Sequence, residues 1–266
     1  MLNTAELLSQ GIFATRTVDP NDLTSLYRLI YPIKTEIPLI RLGGDGDGGY
    51  LIPDDLKGVV ACFSPGTGPT TSFESDLYER SGIKSHLCDP TVAPPSKQPY
   101  LKSFLSKFLG PYTTEDTISF QDWIERMQPE TKDSELIAQV DIEGSEYLSL
   151  LTIPPRYLMK FRILIIELHE LYNWANPLFF PLVKSLFTHI TRYFSVVHTH
   201  PNNNDGEILL QNGLCPRTIE ITLYRKDRHT TATYNPTLPH YLDRLNNKSK
   251  REIEIPTLWR PHQPFV

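Results

Sequence analysis

Apolar residues along the chain form two alternating patterns. Nearly continuous apolar runs, which are typical of strands buried on both faces of a sheet, occupy 59–66, 84–90, 136–144 and 162–170. Helical spacing of apolar residues follows them at 71–82, 119–128 and 177–192, with a Pro-broken helical stretch at 145–160. This alternation predicts right-handed strand–helix–strand units that build a mostly parallel sheet.

The remaining segments predict what surrounds this sheet. Residues 38–53 predict two short strands around a glycine-rich turn, and the Pro-rich residues 91–101 predict a loop. Strands predicted at 193–201 and 218–226 have a short Asn/Gly/Pro-rich connection, which favours antiparallel pairing. We therefore expect a seven-stranded sheet in an α/β/α sandwich.

The same patterns predict the domain organisation. Residues 1–36 have helical apolar spacing and are expected to form an N-terminal helical extension. Residues 37–226 form the α/β domain, and the polar, Pro-rich residues 227–266 form a tail packed on it. The length of 266 residues and the 39% apolar content suit one sizeable domain with extensions.

Charge and cysteine content narrow the partners and the compartment. The net charge of −5 and pI near 5.9 argue against a nucleic-acid partner, which requires a basic surface. The chain start lacks the basic and apolar regions of a signal peptide, and no apolar run is long enough to cross a membrane. Three cysteines without metal-type spacing predict reduced thiols in a cytoplasmic protein.

The candidate chemistry lies where the predicted strands end, because ligands of open α/β sheets bind beyond the carboxyl ends of the strands. A glycine turn with Gly66 and Gly68 follows the first core strand and lets a ligand approach the backbone. Asp89 ends the next strand, where an acid can accept both hydroxyls of a ribose. Each feature alone also suits an ordinary turn, but their order and spacing favour a nucleotide-type ligand.

Two later strand ends carry ionisable groups. Asp141 closes a buried strand and is followed by Glu143 and Glu146, which a helix N-terminus would favour. Asp141 itself is hard to explain by packing, since carboxylates are seldom buried unpaired. Glu167 and His169 share one face of the next strand, as His198 and His200 do further on. These residues are candidate bases or ligands, and the Asn-rich run after His200 equally suits a polar turn.

Several of these segments together resemble the FkbM-type methyltransferases, over roughly residues 38–226. The resemblance is carried by ArgLeuGlyGlyAspGlyAspGlyGlyTyr at 41–50, SerPheGlu at 72–74, AspProThr at 89–91, AspTrp at 122–123, AspIleGluGlySerGlu at 141–146, GluLeuHis at 167–169 and HisThrHisProAsnAsn at 198–203. It implies a Rossmann-like class I methyltransferase fold, S-adenosylmethionine as the methyl donor, and O-methylation of a sugar or a small metabolite.

The resemblance and the strand ends together assign the site residues. We predict cofactor contacts from Arg41, Gly49, Tyr50, Ser64, Gly66, Gly68, Glu74, Asp89, Phe120, Asp122 and Asp141. Phe120, with the neighbouring Gln121 or Asp122, is assigned to the adenine, and Asp89 is assigned to the ribose. Asp141, His169 and His200 are the predicted catalytic residues.

Two routes to activating the acceptor hydroxyl remain open. In one, Asp141, Glu167 and His169 bind Mg²⁺ or Mn²⁺, which lowers the pKa of a bound oxygen. In the other, His169 or His200 takes the proton without a metal. Two other functions also fit: a nicotinamide-dependent oxidoreductase, which lacks the third glycine of the dinucleotide motif, and a catalytically inactive binding module of the same fold.

Overall fold

The computed structural model describes residues 4–68, 70–127, 134–210, 213–230, 233–234, 237–256 and 259. The helices are α1 (Thr4–Ser9), α2 (Pro20–Leu29), α3 (Ser72–Ser81), α4 (Phe120–Met127), α5 (Glu146–Leu151), α6 (Pro155–Leu158) and α7 (Phe180–Ile190). Short 3-10 helices cover Leu171–Ala175 and Lys226–Arg228. Among the helices of these ranges, none has the length and apolar character that crossing a membrane requires.

The strands fall into one large sheet and four two-stranded pairs. They are β1 (Ile33–Lys34), β2 (Leu39–Leu42), β3 (Tyr50–Pro53), β4 (Val59–Pro65), β5 (Ser85–Cys88), β6 (Leu101–Leu105), β7 (Phe108–Leu109), β8 (Thr117–Ile118), β9 (Glu135–Val140), β10 (Phe161–Leu168), β11 (Phe194–Pro201), β12 (Glu207–Leu210), β13 (Gly213–Pro216), β14 (Ile219–Arg225) and β15 (Thr233–Tyr234).

The large sheet has seven strands in the order β11-β14-β10-β9-β4-β5-β6. Every pairing from β10 to β6 is parallel, and β14 runs antiparallel to both of its neighbours. The predicted mostly parallel seven-stranded sheet is therefore confirmed, as is the antiparallel pairing of its last two strands. Along the chain, β5 and β6 extend the sheet to one side of β4, while β9 and β10 extend it to the other. The strand order therefore switches between β4 and β9.

One sheet strand was not predicted. β6 begins at Leu101, directly after the Pro-rich segment, and pairs in the sheet only with β5. Its residues are mostly half-buried and include Lys102, so it lacks the continuous apolar run of the central strands. A strand at the edge of a sheet has only one neighbour and is partly exposed, so it can contain polar residues. β6 therefore lacks the continuous apolar run by which the central strands were predicted.

The core lies on both faces of the sheet because alternate residues of each strand point to opposite sides. Ala61 and Phe63 of β4 belong to one apolar cluster, and Cys62 between them belongs to another. The first cluster also receives the buried faces of α2, α4, α5 and α7. The second cluster is covered by α3 and by the antiparallel β2–β3 hairpin.

Described segments that precede and follow the large sheet in the chain pack close to each other. β1 pairs with β15, and Trp259 stacks on Trp174 with ring centroids 5.9 Å apart. Tyr27 of α2 contacts the same two tryptophan rings. The segments before and after the sheet therefore share the apolar cluster on one of its faces.

Candidate functional site

A cavity of about 510 Å³ opens at the carboxyl ends of β4, β5 and β9. Four of the predicted cofactor residues line it: Gly66, Gly68, Asp89 and Asp141. It therefore lies where the strand order switches, which is the place where open α/β sheets bind ligands.

The glycine turn brings two strand ends into contact. Gly66 has a φ of +77°, and a Cβ atom added there would lie 1.4 Å from the carbonyl oxygen of Asp141. Its N–H donates to the carbonyl of Cys88 at 3.0 Å. A glycine is thus required by both backbone conformation and space. At Gly68 a Cβ would meet no atom of the described chain within 4 Å.

Asp89 lines this cavity and stabilises its own turn. Its Oδ1 accepts hydrogen bonds from the backbone N–H and the hydroxyl of Thr91, both at 2.7 Å. Both hydrogen bonds of this carboxylate within the described ranges use Oδ1. The second oxygen is thus available to a ligand hydroxyl.

The apolar wall of the cavity comes from a segment that sequence analysis overlooked. Its lining includes Phe108, Leu109, Gly110, Pro111 and Thr117, from β7, β8 and their connection. The ring of Phe108 is about half exposed there. Two-residue strands have no period to detect, so the sequence carried no signal for this wall beyond the apolar–Gly–Pro run.

Phe120 and Asp122, both predicted for the adenine, lie elsewhere. Phe120 is 1% exposed and packs in the core against Trp123 and Phe161. Asp122 is half-buried and accepts a hydrogen bond from the hydroxyl of Thr113. Neither is among the lining residues of the cavity, whose apolar wall is formed by the Phe108 segment instead.

Beside the cavity, three predicted metal ligands come together. Asp141, Glu167 and His169 each offer a ligand atom, and these atoms all lie within 4.8 Å of one another. Asp141 Oδ1 is buried without a hydrogen-bond partner among the described residues. Burial raises the pKa of Asp141 to about 7, and burial together with Asp141 raises that of Glu167 well above its usual range. Proximity and burial thus make it unfavourable for both carboxylates to be ionised without a cation.

His169 is held by Glu146, a carboxylate that is fully buried. Glu146 accepts the N–H groups of Ile142 and Gly144 and lies 3.1 Å from His169 Nδ1. Burial lowers the pKa of His169, but the hydrogen bond to Glu146 and the nearby carboxylates outweigh this and raise it to about 9. With Nδ1 turned to Glu146, Nε2 faces Asp141 at 3.8 Å.

Glu146 also stabilises the turn that carries Asp141. Glu143 and Gly144 both have positive φ values, of +53° and +99°. The Glu146 carboxylate accepts the Gly144 N–H at the centre of this strained turn. One buried acid therefore fixes both the histidine and the loop of the cluster, a role that the helix-dipole interpretation of Glu146 did not anticipate.

The glycine-rich turn at 43–49 lies next to Glu167, to which it presents the side chain of Asp47. Arg41 donates to the carbonyl oxygens of Gly44 and Gly46, and a Cβ at Gly49 would collide with the Arg41 guanidinium. Arg41 and Gly49 therefore build this turn. The Asp47 carboxylate that it presents forms a second close group with Glu167 and Glu220.

Tyr50, Ser64 and Glu74 also lie outside the lining of the cavity. All three are buried, and they belong to a continuous hydrogen-bond chain that ends at Glu167. They are thus connected to the acidic cluster and not directly to the cavity within the described part of the chain.

His200 is covered by the C-terminal segment. Its Nδ1 lies 3.5 Å from Glu220 and its Nε2 lies 3.2 Å from Glu252, while His198 pairs with Asp243 at 2.9 Å. The amide of Asn203 donates to backbone carbonyls of residues 247, 250 and 251. Both histidines are 2% exposed, so their described partners tie the tail to the sheet.

We expect the His200 contacts to contribute stability that is lost in alkali. Burial lowers the pKa of His200, but Glu220 and Glu252 outweigh it and raise it to about 10. The folded state therefore binds a proton more tightly than the unfolded state, whose histidine has a pKa of about 6.5. The contribution is fully present below about pH 6.5 and disappears as the pH rises towards 10.

Melting curves of wild type and His200→Gln across this pH range measure the effect. The Tm gap between the two proteins should be widest at the acid end and should close towards pH 10. His229→Gln, which removes a half-buried histidine beside Ser195, is the control. A gap that stays constant with pH would contradict the assignment.

No protein-family model matches the chain, and no curated protein sequence matches it.

Proposed function

We propose that this protein is an S-adenosylmethionine-dependent methyltransferase with a class I fold, a three-layer α/β/α sandwich. It transfers a methyl group to a hydroxyl oxygen of a sugar or a small metabolite. Support comes from the FkbM-type motifs and from the seven-stranded sheet with its single reversed strand.

The cavity supports binding of a nucleoside-containing donor. Gly66 and Gly68 leave the backbone open at the end of β4, and Asp89 offers an oxygen at the end of β5. The exposed ring of Phe108 and the neighbouring Leu109 and Pro111 supply an apolar wall suited to a flat base. The adenine is therefore assigned to this wall instead of to Phe120 and Asp122.

The acidic cluster fits a hard divalent cation. Asp141, Glu167 and His169 supply two carboxylates and one imidazole, and the buried Oδ1 of Asp141 has no hydrogen-bond partner among the described residues. A bound Mg²⁺ or Mn²⁺ would lower the pKa of the acceptor hydroxyl and orient it. The pKa of His169 is raised to about 9, so its Nε2 must lose a proton before it can either bind a cation or take a proton from the acceptor.

One observation carries the proposal: Asp141 belongs to both parts of the site. It lines the cavity and is also a member of the cation-type cluster. An acceptor hydroxyl bound at the cluster would thus lie next to the donor, and methyl transfer depends mainly on this alignment.

Calorimetric titration tests the proposal directly. S-adenosylmethionine and its demethylated product should bind, NAD should not, and Mn²⁺ should bind to the purified protein alone. Binding of NAD would favour the oxidoreductase alternative. Binding of neither cofactor would favour an inactive binding module. Once an acceptor is known, turnover should vanish with a chelator and return with Mg²⁺ or Mn²⁺.

Asp89→Ala is expected to weaken binding of S-adenosylmethionine by at least about 1.5 kcal/mol, because hydrogen bonds to a charged group are lost. Titration calorimetry on both proteins measures this. Asp22→Ala, on the exposed face of α2, should bind as wild type does. Equal affinity of wild type and Asp89→Ala would rule out the ribose assignment.

A further inference from the structure

A continuous chain of buried polar side chains runs from helix α3 to the acidic cluster. Its members are Glu74, Ser64, Gln139, Tyr50 and Glu167, each between 0% and 7% exposed. They come from five different elements, α3, β4, β9, β3 and β10. We expect the contacts between them to be hydrogen bonds, because a buried polar group without a hydrogen-bond partner is costly.

The contacts of this chain follow one another without a gap. Tyr50 Oη lies 3.2 Å from Glu167 Oε2 and 3.2 Å from Gln139 Nε2. Ser64 Oγ lies 2.7 Å from Gln139 Oε1 and also within hydrogen-bond distance of Glu74 Oε1. Five groups are thus joined by four contacts.

The four contacts need four hydrogen atoms, but Ser64, Tyr50 and Gln139 together supply three. Each contact needs a hydrogen, while Ser64 and Tyr50 have one hydroxyl hydrogen each. Gln139 donates only from its amide nitrogen, so it serves one of its two contacts. The fourth hydrogen must come from a carboxyl group, so either Glu74 or Glu167 is protonated.

The orientation of Gln139 decides between the two acids. With Nε2 towards Tyr50, Tyr50 donates to Glu167, and Ser64 spends its hydrogen on Gln139. Glu74 must then be the donor to Ser64. In the reverse orientation, Ser64 would donate to Glu74, and Glu167 would have to donate to Tyr50.

We propose that Glu74 carries this proton and donates it to Ser64, so that Ser64, Gln139 and Tyr50 each donate in turn towards Glu167. The placement follows from the orientation of Gln139, whose Oε1 lies 2.7 Å from Ser64 Oγ and whose Nε2 lies 3.2 Å from Tyr50 Oη. Burial independently raises the pKa of Glu74, against the opposing effect of the Ser64 hydroxyl. The position of the proton does not depend on the proposed function.

Infrared spectroscopy of the full chain detects the proton, because a protonated carboxyl group has a carbonyl stretch that a carboxylate lacks. Glu74→Gln should lose one such band that wild type, Glu167→Gln and Asp141→Asn all retain. Ser64→Ala should shift the band, since the Glu74 hydroxyl loses its acceptor; this variant serves if Glu74→Gln fails to fold. A spectrum of Glu74→Gln that keeps every protonated-carboxyl band of wild type would overturn the proposal.

Melting curves provide a second readout. A raised pKa in the folded state means that this group's contribution to stability is lost as pH rises from about 4.3 towards the folded pKa. Gln needs no proton, so the Tm of Glu74→Gln should rise relative to wild type between about pH 5 and pH 8. The facing titratable group, the Cys62 thiol, is kept neutral because burial raises its pKa. Glu79→Gln, exposed on the same helix, is the matched control.

A Tm difference between Glu74→Gln and wild type that does not change with pH would also contradict the proposal. Neither readout requires cofactor or metal. If S-adenosylmethionine and Mn²⁺ fail to bind while the band behaves as stated, the proposed function fails and the placement of the proton stands.

Discussion

Gly66→Ala should destabilise the protein by roughly 3 kcal/mol or more, the combined scale of a strained backbone and an overpacked site. The φ of Gly66 is +77°, and the new Cβ would lie 1.4 Å from the carbonyl oxygen of Asp141. That carbonyl belongs to the neighbouring strand end, so relief requires β4 and β9 to separate. Urea unfolding monitored by circular dichroism measures the loss.

Gly68→Ala is the matched control in the same turn. Its φ is not in the left-handed region, and a Cβ there would meet no described atom within 4 Å. It should unfold at nearly the same urea concentration as wild type. Unfolding of Gly66→Ala at the same urea concentration as Gly68→Ala would contradict the predicted collision.

Asp141→Asn should reduce Mn²⁺ affinity and methyl transfer by about 100-fold or more, since even residues that only support a metal ligand contribute 10–100-fold. Asn keeps the size of the side chain but removes the charge that the cluster offers to a cation. Calorimetry with Mn²⁺ measures the first effect, and turnover with an identified acceptor measures the second. Asp54→Asn, which alters a partly exposed ion pair with Arg80, is the control.

The stability of Asp141→Asn separates loss of function from loss of fold. The pKa of Asp141 is raised to about 7, so its stabilising contribution is lost as the pH rises through that value. The Asn variant should therefore melt no lower than wild type at about pH 8. Unchanged Mn²⁺ affinity in a folded variant would remove Asp141 from the proposed cation site.

Sequence analysis located the strand ends well because the strongest patterns lie there. Continuous apolar runs end at Gly66, Asp89 and Asp141, and the structure brings all three residues to one cavity. Glu167 and His169 were likewise predicted to face the same way, and they join Asp141 in one cluster. Strand periodicity and parallel pairing suffice for this result, since both are local or nearly so.

Sequence analysis did not predict the contacts that residues from distant parts of the chain make at the site. Glu220 was seen only as part of a strand, yet β14 inserts between β10 and β11 and brings it close to Glu167 and Asp47. The tail was expected to pack on the surface. Asp243 and Glu252 in fact bury the predicted catalytic His200 and its neighbour His198.

By itself, the sequence determined the class of fold, the strand ends at which the cavity and the acidic cluster lie, and the side chains present there. These follow from hydrophobic periodicity and from glycine and carboxylate positions, which act over a few residues. Only the tertiary structure decided which face each group meets: that Phe120 is core, that Phe108 walls the cavity, and that Glu74 meets Ser64. Such contacts depend on strand order and packing between residues far apart in the chain, and no local pattern records them.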